Sequence, residues 1–441
     1  MCIRDSYAVN RGASWFHTMQ IMLNVLGPNT TLGYCTNVHA GASFDEMRAN
    51  LLQYAVPVKQ RVSPDKPMGV GLWLSADAAR YAINNQPALA DLKSWMHGLG
   101  LLVYTVNGFP YGNFHEATVK TKVYQPDWTT DERYEYTLTL AKVLAELLPD
   151  DVNEGSISTL PLGWPAHSGG TDQDLHRIKS AAAGRLHDLV HELARLELDT
   201  GKHIHIDLEP EPGCILDTAK DICDFFYQYL LDSPDDISIR GYLRVCHDVC
   251  HSAVMFEPQR EAIRAYREAR IEIGKVQLSS AVRVDFETKD DRDKAPAVQQ
   301  LKGFAEDRYQ HQTTVRLPSG AMQYYDDLPD ALAKFGDDPQ GEWRIHFHVP
   351  VYVKEFGQLE ATQSDITDLI RAVQGDDELH HYEVETYAWN VLPKELQREE
   401  LADGIADELK WVRETFGKAP GCTSPGSGAV RRRLARLGSG R

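Results

Sequence analysis

Residues 203–209 read His-Ile-His-Ile-Asp-Leu-Glu, a strict alternation of polar and aliphatic side chains. Successive side chains of a strand point to opposite faces, so His203, His205, Asp207 and Glu209 share one face and Ile204, Ile206 and Leu208 the other. An aliphatic face suits packing against helices on the outside of a closed barrel, which turns the polar face into the lumen. Barrel lumens are usually filled by bulky branched residues. A charged lumen face therefore needs a reason.

The same parity recurs later in the chain. YLRVCHD (242–248) sets Arg244, Cys246 and Asp248 against Leu243 and Val245. WRIHFHVP (343–350) sets Arg344, His346 and His348 against Ile345 and Phe347, and HYEVETYAW (381–389) sets Glu383, Glu385 and Tyr387 against Tyr382, Val384 and Thr386. Burying a carboxylate or an imidazolium costs several kcal/mol unless it is paired or meets a cation. One solution is a metal: an oxygen and nitrogen donor set without thiolate suits Mn2+, Mg2+, Co2+ or Zn2+, with positions left for substrate oxygens. The other is a network of ion pairs, such as Arg344 with Glu385, which needs no metal.

Further β-rich runs lie at TLGYCTNVHA (31–40), MGVGLWLS (68–75), GLLVYTVN (100–107), GSISTLP (155–161) and KVQLSSA (275–281). Most are spaced widely enough for a crossover helix. Segments 77–97, 131–148, 172–199 and 394–416 carry apolar residues at helical spacing and read as outer helices. Strand-helix alternation without a glycine-rich dinucleotide fingerprint favours a (β/α)8 TIM barrel over a Rossmann sheet. Nine candidate strands are one too many. The period breaks over 287–342, where a charged loop (KDDRDKAP) and a hairpin (HQTTVRLPSGAMQYY) predict an insertion between late strands. The barrel is expected over 31–418, after an N-terminal extension (1–30) and before a basic, disordered or foreign tail (419–441). Residues 1–6 (MCIRDS) read as a translated adapter remnant.

At 441 residues with 42% apolar and 25% charged side chains, the chain has the composition of a globular protein. A net charge of −18 repels phosphate backbones and argues against a nucleic-acid partner. No apolar run is long enough for a transmembrane helix, and MQIMLNVL (19–26) lacks the flanks of a signal peptide. Seven cysteines without a CxxC pair fit a reducing compartment, hence the cytoplasm.

His251 lies three residues beyond Asp248, at a strand end where barrel active sites form. Asn107 opens NGFPYG, a turn whose Phe109, Tyr111 and Phe114 would wall a pocket, or simply pack. His39 reads as a substrate contact or a helix-entry histidine. Trp128, Trp164 and Trp389 read as stacking platforms or packing. Cys246 reads as a buried structural thiol, and HSGG (167–170) as a weak phosphate loop without its lysine.

Glu209 ending a fifth strand, Asp248 with His251 at a sixth, a later histidine-bearing strand and a terminal glutamate resemble the xylose isomerase-like TIM-barrel superfamily. More specifically, GYCTNVHAG (33–41), TVNGFPYGNFH (105–115), VYQPDW (123–128), ISTLPLGW (157–164), HIDLEPEPG (205–213), HFHVPVY (346–352) and HYEVETYAWNVLP (381–393) resemble the EboE family. These are the "metabolite traffic" proteins of ebo gene clusters. The resemblance implies a divalent metal on Glu209, Asp248, His348 and Glu385, with Gln277 on KVQLSSA the rival of His348. It implies Glu209 and Glu385 as proton-moving acids and His251 against a substrate oxygen. His39, Asn107, His205, His346 and Trp389 complete the expected substrate contacts. The expected function is isomerisation or epimerisation of a sugar-like or secondary-metabolite precursor. The alternatives are a non-catalytic carrier serving an export system with other proteins of the cluster, and a metal-dependent hydrolase.

Overall fold

The computed structural model describes residues 30–418 apart from 114, 169–170 and 390–391. The extension before Thr30, the basic tail, Phe114 and the end of HSGG lie outside the described residues. Eight parallel strands form the barrel: β1 (Thr31–Tyr34), β2 (Met68–Trp73), β3 (Leu101–Asn107), β4 (Glu154–Thr159), β5 (His203–Leu208), β6 (Leu243–Asp248), β7 (Ile273–Leu278) and, last in the chain, His381–Val384. Each pairs with its neighbour in order, and the final strand lies between β7 and β1. A parallel bridge between Cys35 and Gly71 joins β1 to β2, and the Trp73 amide donates to Thr36 Oγ1 at 2.9 Å. The ring is a (β/α)8 barrel.

The outer helices follow the apolar periodicity. Thr130 and Thr171 accept the third amide of the helices Asp131–Leu147 and Asp172–Thr200, closing their N-termini. The segment expected as one helix over 77–97 is two, Ala76–Asn84 and Gln86–Leu99. Pro87 cannot continue a helix interior but fits a first turn, and Asn85 caps the second helix through the Ala88 amide.

Between β7 and the last barrel strand sits a second, antiparallel sheet. Its strands are β8 (Val282–Asp285), β9 (Thr313–Arg316), β10 (Met322–Tyr325), β11 (Glu342–Ile345), β12 (Glu355–Phe356) and β13 (Leu359–Ala361), in the spatial order β10-β9-β11-β8-β13-β12. The expected hairpin is β9–β10. KDDRDKAP is not a loop; it opens the helix Asp291–Leu301. WRIHFHVP is the surplus ninth strand and the lumen assignment for it is corrected: β11 pairs with β8 and β9 and stops at Ile345. One-sided polarity is equally the mark of an antiparallel sheet with one wetter face. Arg344 therefore does not meet Glu385; it binds Glu342 at 2.9 Å and lies over the Phe256 ring.

The barrel lumen is polar along its length. At the N-terminal end Glu154 meets Arg244 (2.8 Å) and His380 (2.6 Å), and His205 Nδ1 meets Asp207 (2.6 Å). Half-way up, Lys275 and Glu383 form a 2.7 Å ion pair with both side chains wholly buried. Gly71 makes this possible, since a Cβ there would fall 1.4 Å from Glu383 Oε1. Gly71→Ala is accordingly expected to lower stability by about 1–3 kcal/mol, the usual cost of overpacking. Gly98→Ala, where a Cβ meets nothing within 4 Å, should melt at or slightly above the wild-type temperature. Equal melting of Gly71→Ala and wild type in thermal denaturation would contradict the seat of Glu383 against β2.

Candidate functional site

The top layer of the lumen opens into a cleft at the C-terminal ends of the strands. Glu209 directly follows β5, Asp248 ends β6 and Glu385 directly follows the last strand. One carboxylate oxygen from each lies within 4.8 Å of the others. Asp248 Oδ1 accepts from Ser279 Oγ (2.7 Å) and from the His251 amide (2.8 Å), so Asp248 also caps the helix Val249–Val254. Asn37 Nδ2 (2.6 Å) and Asn107 Nδ2 (3.1 Å) donate to Glu385 Oε1. Asp248 Oδ2 and Glu209 Oε2 are buried with no hydrogen-bond partner.

Three histidines close over these acids. His348 Nδ1 bonds the Glu385 carbonyl (2.8 Å) and His251 Nδ1 the Pro210 carbonyl (2.9 Å). A carbonyl only accepts, so in both rings Nδ1 carries a proton, and in the neutral ring of His348 Nε2 keeps its lone pair. His346 Nδ1 bonds Gln312 Oε1 at 2.8 Å. The Nε2 atoms of His346 and His348 are buried and unpartnered. Atoms of Asp248, His251 and His348 also lie within 4.8 Å of one another.

Burial sets the protonation. It raises the Glu209 carboxyl well above its usual range, with Glu385 and Asp248 adding to the shift, and pushes Glu385 up to about 8 with help from Asp248. At Asp248 burial opposes ionisation, but His251, His348 and the hydrogen bonds from the His251 amide and Ser279 outweigh it and hold the group low. Burial takes His348 down to about 4 and His346 well below its usual value. The floor of the cleft thus sets neutral His346 and His348 and the low-lying Asp248 beside two crowded carboxyls, Glu209 and Glu385, that burial disposes to hold a proton.

Above this floor the walls are Phe109, Val119, Val123, Tyr124, Tyr309 and Tyr387. Of the expected site residues the structure brings together Glu209, Asp248, His251, His346, His348, Glu385 and Asn107. Three others do not line the cleft. His39 bonds the Tyr34 hydroxyl (3.0 Å) and stacks on Tyr54, the helix-entry role. His205 is two layers down, at the closed end of the lumen, because its strand carries it to the opposite end from Glu209. Trp389 packs on Gly404 of the helix Leu401–Lys418, where a Cβ would collide with its ring. Gln277 sits beside Asp248 in the β6–β7 register with both amide atoms buried and unpartnered, below the cleft. Trp164 stacks on Tyr124, Trp128 donates to Thr159, and Cys246 is buried.

Sequence reasoning missed Asn37, Glu211 and Gln312. Glu211 Oε1 accepts from the Tyr124 hydroxyl (2.7 Å) and from Gln312 Nε2 (3.1 Å). The repeated Glu-Pro of EPEP (209–212) was the available signal, since the prolines hold two carboxylates on one short extended run.

No family model matches this sequence, and no curated protein matches it. Solved structures with a similar fold include the IolI protein with a bound zinc atom, at 11% identity over 88% of this chain and 98% of that one, with a TM-score of 0.43. A xylose isomerase-like TIM-barrel protein from Mycobacterium smegmatis in complex with magnesium gives 10%, 88%, 97% and 0.47. A xylose isomerase domain protein from Alicyclobacillus acidocaldarius gives 12%, 88%, 98% and 0.39.

One buried acid holds the site's loops from behind. Glu408, on the helix Leu401–Lys418, accepts from Thr386 Oγ1 (2.6 Å) and the Val351 amide (3.1 Å), next to Glu385 and three residues beyond His348 respectively. Burial pushes its carboxyl up to about 8. A carboxyl whose folded value is raised stabilises below its unfolded value and loses that contribution as pH rises through the folded one. Stability should therefore fall between pH about 4.5 and 8 by up to about 1.4 kcal/mol per pH unit from this group. Glu408→Gln should flatten that slope in thermal melts at stepped pH; an unchanged slope would show that the acid is ionised in place.

Proposed function

We propose that this barrel is a divalent-metal-dependent isomerase or epimerase acting in the cytoplasm on a small polyoxygenated molecule. The observation that carries the reading is that Glu209, Asp248 and Glu385 bring one carboxylate oxygen each within 4.8 Å of the others, beside a second group of Asp248, His251 and His348, while Glu209 Oε2, Asp248 Oδ2 and His348 Nε2 are buried without a hydrogen-bond partner. Each unpaired buried polar atom costs about 1–3 kcal/mol, and a cation relieves several at once. Glu209, Asp248, His348 and Glu385 would hold it. His348 fits better than Gln277, because its ring enters the cleft and its Nδ1 is already fixed by a carbonyl, the usual outer support of a metal-binding imidazole. Such an ion, when bound, gathers vicinal oxygens and polarises a carbonyl.

The chain's own groups supply the rest. Glu209 and Glu385 are carboxyls disposed by burial to carry a proton near neutral pH, the property needed to take one from a carbon beside a carbonyl and return it. Asn37 and Asn107 fix the orientation of Glu385. His251 Nε2 faces a substrate hydroxyl as acceptor. Tyr124, Tyr309, Tyr387 and Phe109 wall the reacting centre from water and favour a ring or other apolar body on the substrate. The EboE-like motifs support a precursor of secondary metabolism as that substrate. Phosphodiester hydrolysis is disfavoured, since Lys120, the one cationic residue among the described lining residues, is bound to Asp327 at 2.6 Å.

Plasma mass spectrometry of chain purified without exposure to tag-derived metal should find bound divalent ion, lost in the Glu209→Gln/Asp248→Asn double variant. Turnover of sugars and cyclic polyols should fall by about 10²–10⁴ in Glu209→Gln. Ligand binding without conversion would favour the carrier reading. No ion after reconstitution with Mn2+ or Zn2+ would remove the metalloenzyme altogether.

A further inference from the structure

One corner of the cleft is built from groups that the proposed metal set does not use. Tyr309 and Tyr387 line it, their rings at 75° with centroids 5.1 Å apart. The ring of His346 meets Tyr387 at 90°, centroids 6.3 Å apart, and its Nδ1 stands 3.6 Å from Glu211 Oε1. His346 is only 5% exposed, burial keeps it neutral, and its Nε2 has no hydrogen-bond partner. Tyr124 and Gln312 both donate to Glu211 Oε1, which leaves Oε2 to the cleft. Gln312 also bonds His346, so one side chain holds both acceptors in place. The corner therefore offers a carboxylate, an imidazole lone pair and two aromatic rings. Lys120, the one cationic residue among the described lining residues, is committed to Asp327.

We propose that the substrate carries a protonated amine seated in this corner against Glu211, which makes it an amino sugar or a similar aminopolyol. The inference rests on the reading of this cleft as a substrate site and names the class of molecule it takes. A protonated amine brings N–H donors and positive charge and no acceptor, whereas a hydroxyl brings one proton and its own lone pairs. Glu211 Oε2 and His346 Nε2 are both acceptors, so the amine answers the two together. A buried carboxylate without a cationic partner is costly. Glu211 has no lysine or arginine against it among the described residues, and the amine is the partner it lacks. Its hydrogen bond to the carboxylate is charge-assisted, about twice as strong as a neutral one. Aromatic rings set at an angle beside an acid attract an organic cation further, most where water is excluded. A phosphate or carboxylate on the substrate would instead meet Glu211 with no cation to offset the repulsion.

The test is titration calorimetry on the full chain with two matched pairs of probes, in mildly acidic buffer where the amines are charged. The pairs are glucosamine with glucose, and 2-aminocyclohexanol with 1,2-cyclohexanediol. The divalent ion content of the same samples is read by plasma mass spectrometry. Wild type should bind the amine of at least one pair about tenfold or more tighter than its alcohol. Glu211→Gln should lose that preference with its ion content unchanged. A preference that survives in Glu211→Gln overturns the seat on Glu211. An amine no tighter than its alcohol in both pairs, whether both bind or neither does, overturns the amine; if the ion is still bound, the metal reading stands. An amine preference in protein that takes up no ion supports this corner and removes the metal. Should Glu211→Gln fail to fold, Tyr309→Leu takes away one ring and leaves the acid. It should reduce the preference severalfold, and an unchanged preference there overturns the aromatic corner.

Discussion

The buried pair of Lys275 and Glu383 is the constraint on which the rest of this barrel depends. Two opposite charges 2.7 Å apart with no exposed surface recover the cost of leaving water only if both stay in place, and removing one strands the other at about 3–5 kcal/mol. Their presence dictates the small residues around them: Gly71 on β2 leaves the space Glu383 occupies, and Gly274 on β7 leaves the space for Asp207. It also divides the lumen. Below the pair, Glu154 meets Arg244 and His380, and His205 Nδ1 meets Asp207, while His205 Nε2 and Asp207 Oδ2 keep no hydrogen-bond partner. Above it, Glu209, Asp248 and Glu385 have no lysine or arginine partner among the described residues. The same scaffold that sets an arginine or a lysine against an acid in the two lower layers sets none against the acids of the third, at the end where barrel chemistry is done.

The insertion sheet is part of that third layer. The barrel strands alone deliver acids and an amide. The histidines His346 and His348, and the glutamine that aims the first of them, come from segments flanking β9 and β11. His348 then bonds the Glu385 carbonyl, and Glu408 clasps the residues that follow both. The site is a joint between two sheets, held from outside by one buried acid in the C-terminal helix.

Much of this was legible in the sequence where the signal was periodic. The alternation of 203–209 gave both the strand and its facing, and the ends of β5, β6 and the last strand placed Glu209, Asp248 and Glu385 correctly. Periodicity misled where two architectures share it. WRIHFHVP alternates because one face of an antiparallel sheet is polar, and its two histidines reach the site from the irregular run after the strand. His39 and Trp389 sit in motifs that border the site, but their partners, Tyr54 and the helix around Gly404, are fixed by tertiary packing that no local pattern encodes. His205 shows the opposite failure: facing was right, height was not, since two residues along a strand move a side chain about 7 Å.

What finally distinguishes this cleft from an ordinary buried polar network is the sign of its hydrogen-bonding capacity. Networks close when donors and acceptors alternate, as Tyr124, Gln312 and Glu211 do. In the floor, the histidine protons are already spent on carbonyls and on Gln312, and Asn37 and Asn107 spend donors on a single oxygen of Glu385. Of the atoms left without a partner, Glu209 Oε2, Asp248 Oδ2 and the Nε2 atoms of His346 and His348 are lone pairs, against which Gln277 Nε2 beside Asp248 is a donor. Water can relieve two such atoms per molecule with its own protons, but it then turns its oxygen, another acceptor, toward the rest. A protonated carboxyl donates its one O–H to one acceptor, which leaves the other lone pairs unmet. A centre of positive charge with several open positions answers carboxylate and imidazole together, and on this the proposed metal rests.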